Sequence, residues 1–381
     1  MNRFVILTVL FGLTASAHQH DFTGLESQED MARIRLIDRG DGTAPKWMSF
    51  ADAMKFSGQA HADGRCAGFM DITDQPAMTD EALPLVEYFK LDLADRPLKQ
   101  QAYLSQNLPR LNEQELFKTV TEMSAFRNRY YKSDTGVKAA DYVANRFKTI
   151  SKNRTDIRVD LFPHKWPQPS VIATIAGQGP KANEIVVIGG HEDSINQSAF
   201  GSSNMLAPGA DDNATGVATV LEVFREIVES GMKPNRTLMF MTYAAEEVGL
   251  WGSQDIANTF KQNGKAVVAV MQLDMTSFLG SGEQIVFMTD FTHPGLTTFA
   301  EKLVDTYVKI KWSTDKCGYA CSDHASWNKA GYASIMPFEA TMDGDNKAIH
   351  TPGDVIQKLD FKHGLHFAEL GLAFIAELAK D

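Results

Sequence analysis

Two adjacent carboxylates, Glu246 and Glu247, follow the apolar run Leu238-Met239-Phe240-Met241-Thr242-Tyr243. That run reads as a buried strand of a parallel sheet, and in such sheets the site lies just beyond the carboxyl ends of the strands. Neighbouring residues at a strand end point different ways, so one glutamate can hold a metal while the other handles protons. Ile185-Val186-Val187-Ile188 leads in the same way into Gly189-Gly190-His191-Glu192-Asp193, and the run from Val267 to Leu273 ends at Asp274. Between them, Pro208-Gly209-Ala210-Asp211-Asp212-Asn213 precedes a helical pattern, and His350 stands further on. Each stretch has a plain reading as a surface loop, a turn, or a helix N-cap at Asp212 or Asn213. Converging in one crevice, two histidines with three or four carboxylates and no thiolate make the ligand set of a two-metal hydrolytic site.

The elements that must bring them together alternate along the chain. Strands are predicted at 171–176, 185–188, 238–243, 267–273, 285–288 and 333–338. Helical spacing marks Leu116, Val120, Met123, Phe126 and Tyr130, then Val137, Ala140, Val143, Ala144, Phe147 and Ile150. It returns at Val217, Val220, Leu221, Phe224 and Ile227, and at Leu365, Leu370, Phe374, Ile375 and Leu378. This alternation predicts an α/β fold, with a mostly parallel central sheet covered by helices on both faces.

A chain of 381 residues is long enough for a large core, and its net charge of −11 argues against a nucleic-acid partner. Asn2-Arg3, the apolar run Phe4 to Leu13 and Ala15-Ser16-Ala17 read as a secretory leader ending at residue 17. No later stretch offers about 20 uninterrupted apolar residues, so a soluble exported protein with no membrane partner is expected. Export also makes a disulfide between Cys317 and Cys321 plausible and leaves Cys66 over. Residues 18–105 lack long periodic segments and read either as a small N-terminal domain or as a pro-segment, which would make the chain a zymogen. The boundary is expected near 105–109, with a catalytic domain over 106–381.

From about residue 111 onward the chain closely resembles the secreted bacterial double-zinc leucyl aminopeptidases, relatives of glutamate carboxypeptidase and the glutaminyl cyclases. The resemblance rests on Gly-Gly-His191-x-Asp193, Pro208-Gly-Ala-Asp211-Asp212, Ala244-Ala-Glu246-Glu247-Val-Gly-Leu and Gln272-Leu-Asp274-Met275. Cys317-Gly-Tyr319-Ala-Cys321-Ser-Asp323-His324 and Ile349-His350-Thr351 complete it. It implies that His191, Asp211, Glu247, Asp274 and His350 bind two zinc ions. Asp211 would bridge them through a residue whose bond to Asp212 is cis. Asp193 would orient the His191 imidazole. Glu246 would serve as general base and acid toward a hydroxide shared by the two ions, and Tyr319 would stabilise the oxyanion. Met275, Cys321, Phe338, Met342 and Ile349 would surround the first side chain of the substrate and suit leucine-like residues. Asp323 and His324 read as structural.

The implied activity is release of large apolar N-terminal residues from peptides by a secreted, monomeric metallo-aminopeptidase. A carboxypeptidase or glutaminyl cyclase on the same fold is the nearest rival. A catalytically silent binding protein is a further alternative, against which the intact base and ligand positions count.

Overall fold

The computed structural model describes residues 26–62, 68–75, 93, 96–152, 154–202 and 204–380. The expected leader and Cys66 lie outside these residues. The chain begins with a small module: α1 (Gln28–Ala32), β1 (Ile34–Asp38), β2 (Lys46–Ser49), α2 (Phe50–Ala62) and β3 (Met70–Asp71). Its strands form an antiparallel sheet in the order β2-β1-β3.

The main body follows with α3 (Gln101–Asn107), α4 (Glu113–Ser124), α5 (Asp134–Ser151), β4 (Ile157–Phe162), β5 (Ser170–Ile175), β6 (Glu184–His191) and α6 (Gly216–Glu229). Next come β7 (Thr237–Tyr243), α7 (Trp251–Gln262), β8 (Ala266–Gln272), β9 (Gln284–Met288) and α8 (Pro294–Leu303). The chain ends with β10 (Lys311–Asp315), α9 (His324–Lys329), β11 (Ser334–Ile335), β12 (Pro337–Phe338) and α10 (Phe361–Ala379).

Six strands form the central sheet in the order β11-β8-β6-β7-β5-β4. The pairs from β11 through β7 are parallel, whereas β5 and β4 complete the edge antiparallel. The sheet is buried on both faces because its strands alternate between two cores. Val186 and Ile188 of β6 join Leu238 and Phe240 of β7 beneath α6 and α10. Ile185 and Val187 point the other way, to Ile256, Phe260 and Trp327 of α7 and α9. A period of two with apolar residues at both phases is what a doubly covered strand requires.

The expected mostly parallel α/β sheet is therefore present, but β4 at its edge and β10 had no predicted counterpart, and the strand predicted at 285–288 lies outside it as β9. The predicted strand at 333–338 is divided. Ser334–Ile335 extends the central sheet, and Pro337–Phe338 pairs antiparallel with β9 in a separate sheet of order β10-β9-β12. The helix predicted across Leu116 to Tyr130 ends at Ser124, and the Tyr130 hydroxyl reaches Glu26 instead. Among the described residues no helix is long and apolar enough to cross a membrane.

The N-terminal module docks closely on the body. Ile37, Phe50, Met54 and Phe69 share a core with Tyr130, Tyr131, Ile195 and Val248. Glu26 accepts hydrogen bonds from Tyr130, Tyr131 and Lys132, and the Phe50 ring stacks on Trp251. The boundary expected near 105 falls inside α3, whose Leu104 belongs to the main core together with Leu93 and Leu111. Buried Glu377 of α10 accepts the amides of Lys99 and Gln100 ahead of α3 and the Tyr307 hydroxyl. Residues 96–107 thus pack into the body, and the described N-terminal module comprises residues 26–62 and 68–75.

Glu377→Ala removes the acceptor shared by those three donors. A loss of about 2–3 kcal/mol in chemical denaturation is expected. A variant as stable as the parent would show that residues 96–107 are not held by this anchor.

Candidate metal centre and substrate pocket

Register brings the polar clusters together. His191 ends β6 directly beside Tyr243, the last residue of β7, while Gly189 of β6 pairs with Gln272, the last residue of β8. His191, Glu246-Glu247 and Asp274 therefore emerge side by side from three adjacent parallel strands. Close approach needs small residues here. A Cβ on Gly190 would lie 2.7 Å from the Leu273 carbonyl oxygen, and one on Gly216 would lie 2.2 Å from that same atom.

The loop before α6 supplies Asp212. His191 Nε2 lies 3.0 Å from Asp212 Oδ1 and 3.4 Å from Asp274 Oδ1. His350 Nε2 lies 2.9 Å from Asp212 Oδ2 and 2.7 Å from Glu247 Oε2. Two groups result, His191-Asp212-Asp274 and Asp212-Glu247-His350, each with its donor atoms within 4.8 Å of one another. Asp212 is common to both.

This corrects the expectation for Asp211. Its carboxylate turns away, accepting a hydrogen bond from Asn346 Nδ2 at 2.9 Å, with Thr215 Oγ1 on its other oxygen. The cis peptide likewise lies one residue later, between Asp212 and Asn213. Two consecutive aspartates cannot be told apart by spacing. The backbone path decides which one faces inward, and Asp354 sets that path by accepting the amides of Asp211 and Asp212 on its two oxygens.

Asn213 contributes a second tie. Its side chain donates to the Leu273 carbonyl and accepts from the amides of Gly216 and Met275. One amide group so links the Asp212 loop, the start of α6 and both neighbours of Asp274. Asp193 also does something its spacing did not reveal. Its Oδ1 lies 3.5 Å from His191 Nδ1, long for a hydrogen bond, whereas its two oxygens accept the amides of Glu246 and Glu247 at 3.0 and 3.2 Å. Asp274 Oδ2 takes the Ser322 hydroxyl at 2.5 Å. Behind the cluster, fully buried Arg129 donates to the carbonyls of Glu192, Pro208 and Gly209. Arg129 and Asp354 carried no signal in the sequence, because each works through backbone atoms of distant segments. Asn213 was a candidate N-cap and does accept the Gly216 amide at the start of α6, but its ties to Leu273 and Met275 had no local sign.

The electrostatics follow from burial. Burial pushes the Glu247 carboxyl up to about 7, with the Asp212 charge adding to it, and pushes Glu246 well above the usual carboxylate range. Asp212 is also buried, yet hydrogen bonds from His191 and His350 hold it below that range. Burial opposes charge on both imidazoles, but the surrounding carboxylates raise both well above the ordinary histidine value. Imidazole nitrogens and carboxylate oxygens converging in two groups are a donor set suited to zinc. Glu246 lies outside both groups and lines the same cavity.

That cavity is also lined by all five expected pocket residues, Met275, Cys321, Phe338, Met342 and Ile349, and by Tyr319. Met336 joins them in one apolar cluster. Cys317 and Cys321 form the disulfide that closes the Tyr319 loop, with Cα atoms 6.1 Å apart. Three further lining residues, Ser57, Gly68 and Phe69, come from the N-terminal module. Asp323 and His324 stand outside both donor groups. Asp323 accepts from Gln272 Nε2, and His324 Nε2 faces the Asp290 carbonyl at 3.2 Å.

The model of Peptidase family M28 matches residues 170–375. The chain belongs to this family. It is a hydrolase of the aminopeptidase type. Leucine aminopeptidase 1 of Fusarium vanettenii is 40% identical over 326 residues, covering 81% of this chain and 80% of its own. A probable leucine aminopeptidase of Arthroderma otae is 40% identical over 316 residues, covering 82% and 85%. The crystal structure of Legionella pneumophila LapA aminopeptidase superposes with a TM-score of 0.81 at 26% identity, covering 91% of this chain and 98% of that one. An aminopeptidase from Aneurinibacillus shares the fold at 17% identity, with a TM-score of 0.61 over 73% of this chain and 96% of its own.

His324 makes the Tyr319 loop sensitive to acid. Burial lowers its pKa to about 4, and Asp290, whose carbonyl it faces, binds the amides of Cys317 and Gly318. A folded-state value below the unfolded 6.5 means that the fold favours the neutral ring. Its contribution is complete above about pH 6.5 and is lost as pH falls toward 4. Denaturation of wild type and His324→Gln across that window should show wild type losing up to about 3 kcal/mol more than the variant. Parallel pH dependences would count against this assignment.

Proposed function

We propose that this chain is an exported, zinc-dependent aminopeptidase that removes large apolar residues from peptide N-termini. The observation that carries the reading is the pair of His-carboxylate groups sharing Asp212, with Glu246 beside them and an apolar cavity adjoining. His191, Asp212, Glu247, Asp274 and His350 would hold two zinc ions. Zinc bound there supplies Lewis-acid activation of the scissile carbonyl and of the attacking water.

The protein's own groups do the rest. Asp193 fixes the amides of Glu246 and Glu247, so the base and a ligand are set by one carboxylate. Glu246 takes the proton from the attacking water and returns it to the leaving amine. The Tyr319 hydroxyl donates to the oxygen that gains charge during attack. Met275, Met336, Phe338, Met342 and Ile349 receive the first side chain, and their apolar surface favours leucine-like residues by about 1–3 kcal/mol per methylene. The acidic surroundings offer partners to the free α-ammonium. The described lining contains neither arginine nor lysine, so nothing there would pair with a terminal carboxylate as a carboxypeptidase requires. The sequence of residues 1–17 supports export.

Glu246→Gln should keep its zinc by elemental analysis while kcat on leucinamide falls roughly 10²–10⁴-fold. Turnover near wild type would remove Glu246 from its role. Asp212→Asn should lose zinc whereas Asp211→Asn keeps it, and the reverse result would restore Asp211 as the bridging residue. Dialysis against a chelator should abolish leucinamide hydrolysis and added zinc should restore it. Activity indifferent to chelation would end the metal mechanism.

A further inference from the structure

The N-terminal module reaches the reacting centre at two adjacent residues. A Cβ on Gly68 would sit 3.3 Å from Cε2 of Tyr319, so the backbone there lies against the ring of the oxyanion donor. The next residue, Phe69, packs on the turn that follows the base. A Cβ on Gly249 would sit 3.1 Å from Cε2 of Phe69 and 2.9 Å from the Asp71 amide nitrogen. Gly249 has φ +118°, a backbone conformation suited to glycine. The pairing is held on both sides: the Asp71 amide donates to the Gly249 carbonyl, and Gln254 Nε2 donates to the carbonyls of both Asp71 and Gly249. Phe69 shares its core with Ala245 and Val248, the residues flanking Glu246 and Glu247, and lines the substrate cavity.

Gly68-Phe69 therefore spans one wall, from the tyrosine that faces the scissile carbonyl to the turn beyond the glutamate that protonates the leaving amine. The apolar cluster for the first side chain is a different set of residues, without Phe69. A peptide whose first side chain enters that cluster presents its leaving amine to Glu246, so its second residue lies toward the Gly249 turn and the Phe69 ring. We propose that Phe69 forms the subsite for the second residue of the substrate and selects peptides with an apolar side chain there. This rests on the aminopeptidase reading above. It also makes residues 26–75 a working part of the substrate site. The LapA superposition covers 91% of this chain, more than the roughly four-fifths that residues 76–381 amount to, so LapA carries a counterpart to at least part of the module.

The test uses the full chain with Leu-Gly, Leu-Ala, Leu-Leu and Leu-Phe, and leucinamide as a substrate without a second residue. Wild type should favour Leu-Phe over Leu-Gly by roughly tenfold in kcat/KM. Phe69→Ala should shrink that ratio to about twofold. Phe69→Trp keeps the module's apolar contact but fills the subsite, and should place Leu-Phe below Leu-Ala. That second variant decides the matter if Phe69→Ala fails to fold. A wild-type series that is flat while leucinamide is hydrolysed, or ratios unmoved in both variants, would overturn the subsite alone. No hydrolysis of leucinamide by zinc-loaded wild type would instead remove the aminopeptidase reading and this inference with it.

Discussion

Buried negative charge is the constraint around which this molecule is built. Asp193, Asp211, Asp212, Asp274, Asp323, Glu339 and Asp354 are all buried near the carboxyl ends of three neighbouring strands. Placing that many carboxylates in a water-poor interior is unfavourable unless each is paired, hydrogen-bonded or opposed by a cation. The chain answers in two ways. Some acids are absorbed by the protein itself: Asp354 and Asp193 each take two backbone amides, and Asp211 takes the Asn346 amide. Asp212, Glu247 and Asp274 instead converge with two imidazoles, which is where external positive charge belongs.

The same constraint explains the backbone. Ala245, Leu250, Met275 and His350 have φ between 54° and 61°, uncommon for residues with a side chain. Met275 adjoins a proposed ligand, His350 is one, and Ala245 precedes the proposed base, and each conformation costs on the order of 1 kcal/mol or more. Such positions persist only where the surroundings over-determine them. At Met275 and along the Asp212 loop, the Asn213 side chain, the Asp354 clamp and the buried Arg129 guanidinium supply that rigidity. The site is held by bonds to backbone atoms more than by contacts between side chains.

The N-terminal module is joined to the body by the same kinds of contact that hold the body together. Its Phe50, Met54 and Phe69 share an apolar core with Tyr130, Tyr131 and Val248, and Glu26 is shared among two tyrosines and a lysine. It lends three residues, Ser57, Gly68 and Phe69, to the wall of the cavity. The disulfide loop holding Tyr319 lies between this module and the central sheet, so the placement of the tyrosine depends on both.

Periodicity and strand-end chemistry were legible in the sequence. Alternation at β6 and β7, helical spacing at α5, α6 and α10, and polar residues after successive apolar runs were enough to put His191, Glu246, Glu247 and Asp274 at strand ends, because those signals are local, whereas His350 follows no apolar run and entered only through the family resemblance. The choice between Asp211 and Asp212 was not local. It depends on which carboxylate the Asp354 clamp turns inward, a contact across more than 140 residues. The division of 333–338 between two sheets, the inclusion of residues 96–107 in the body and the approach of Phe69 to Gly249 share that cause. Each is set by what a distant segment offers in space, and single-chain spacing contains no record of it.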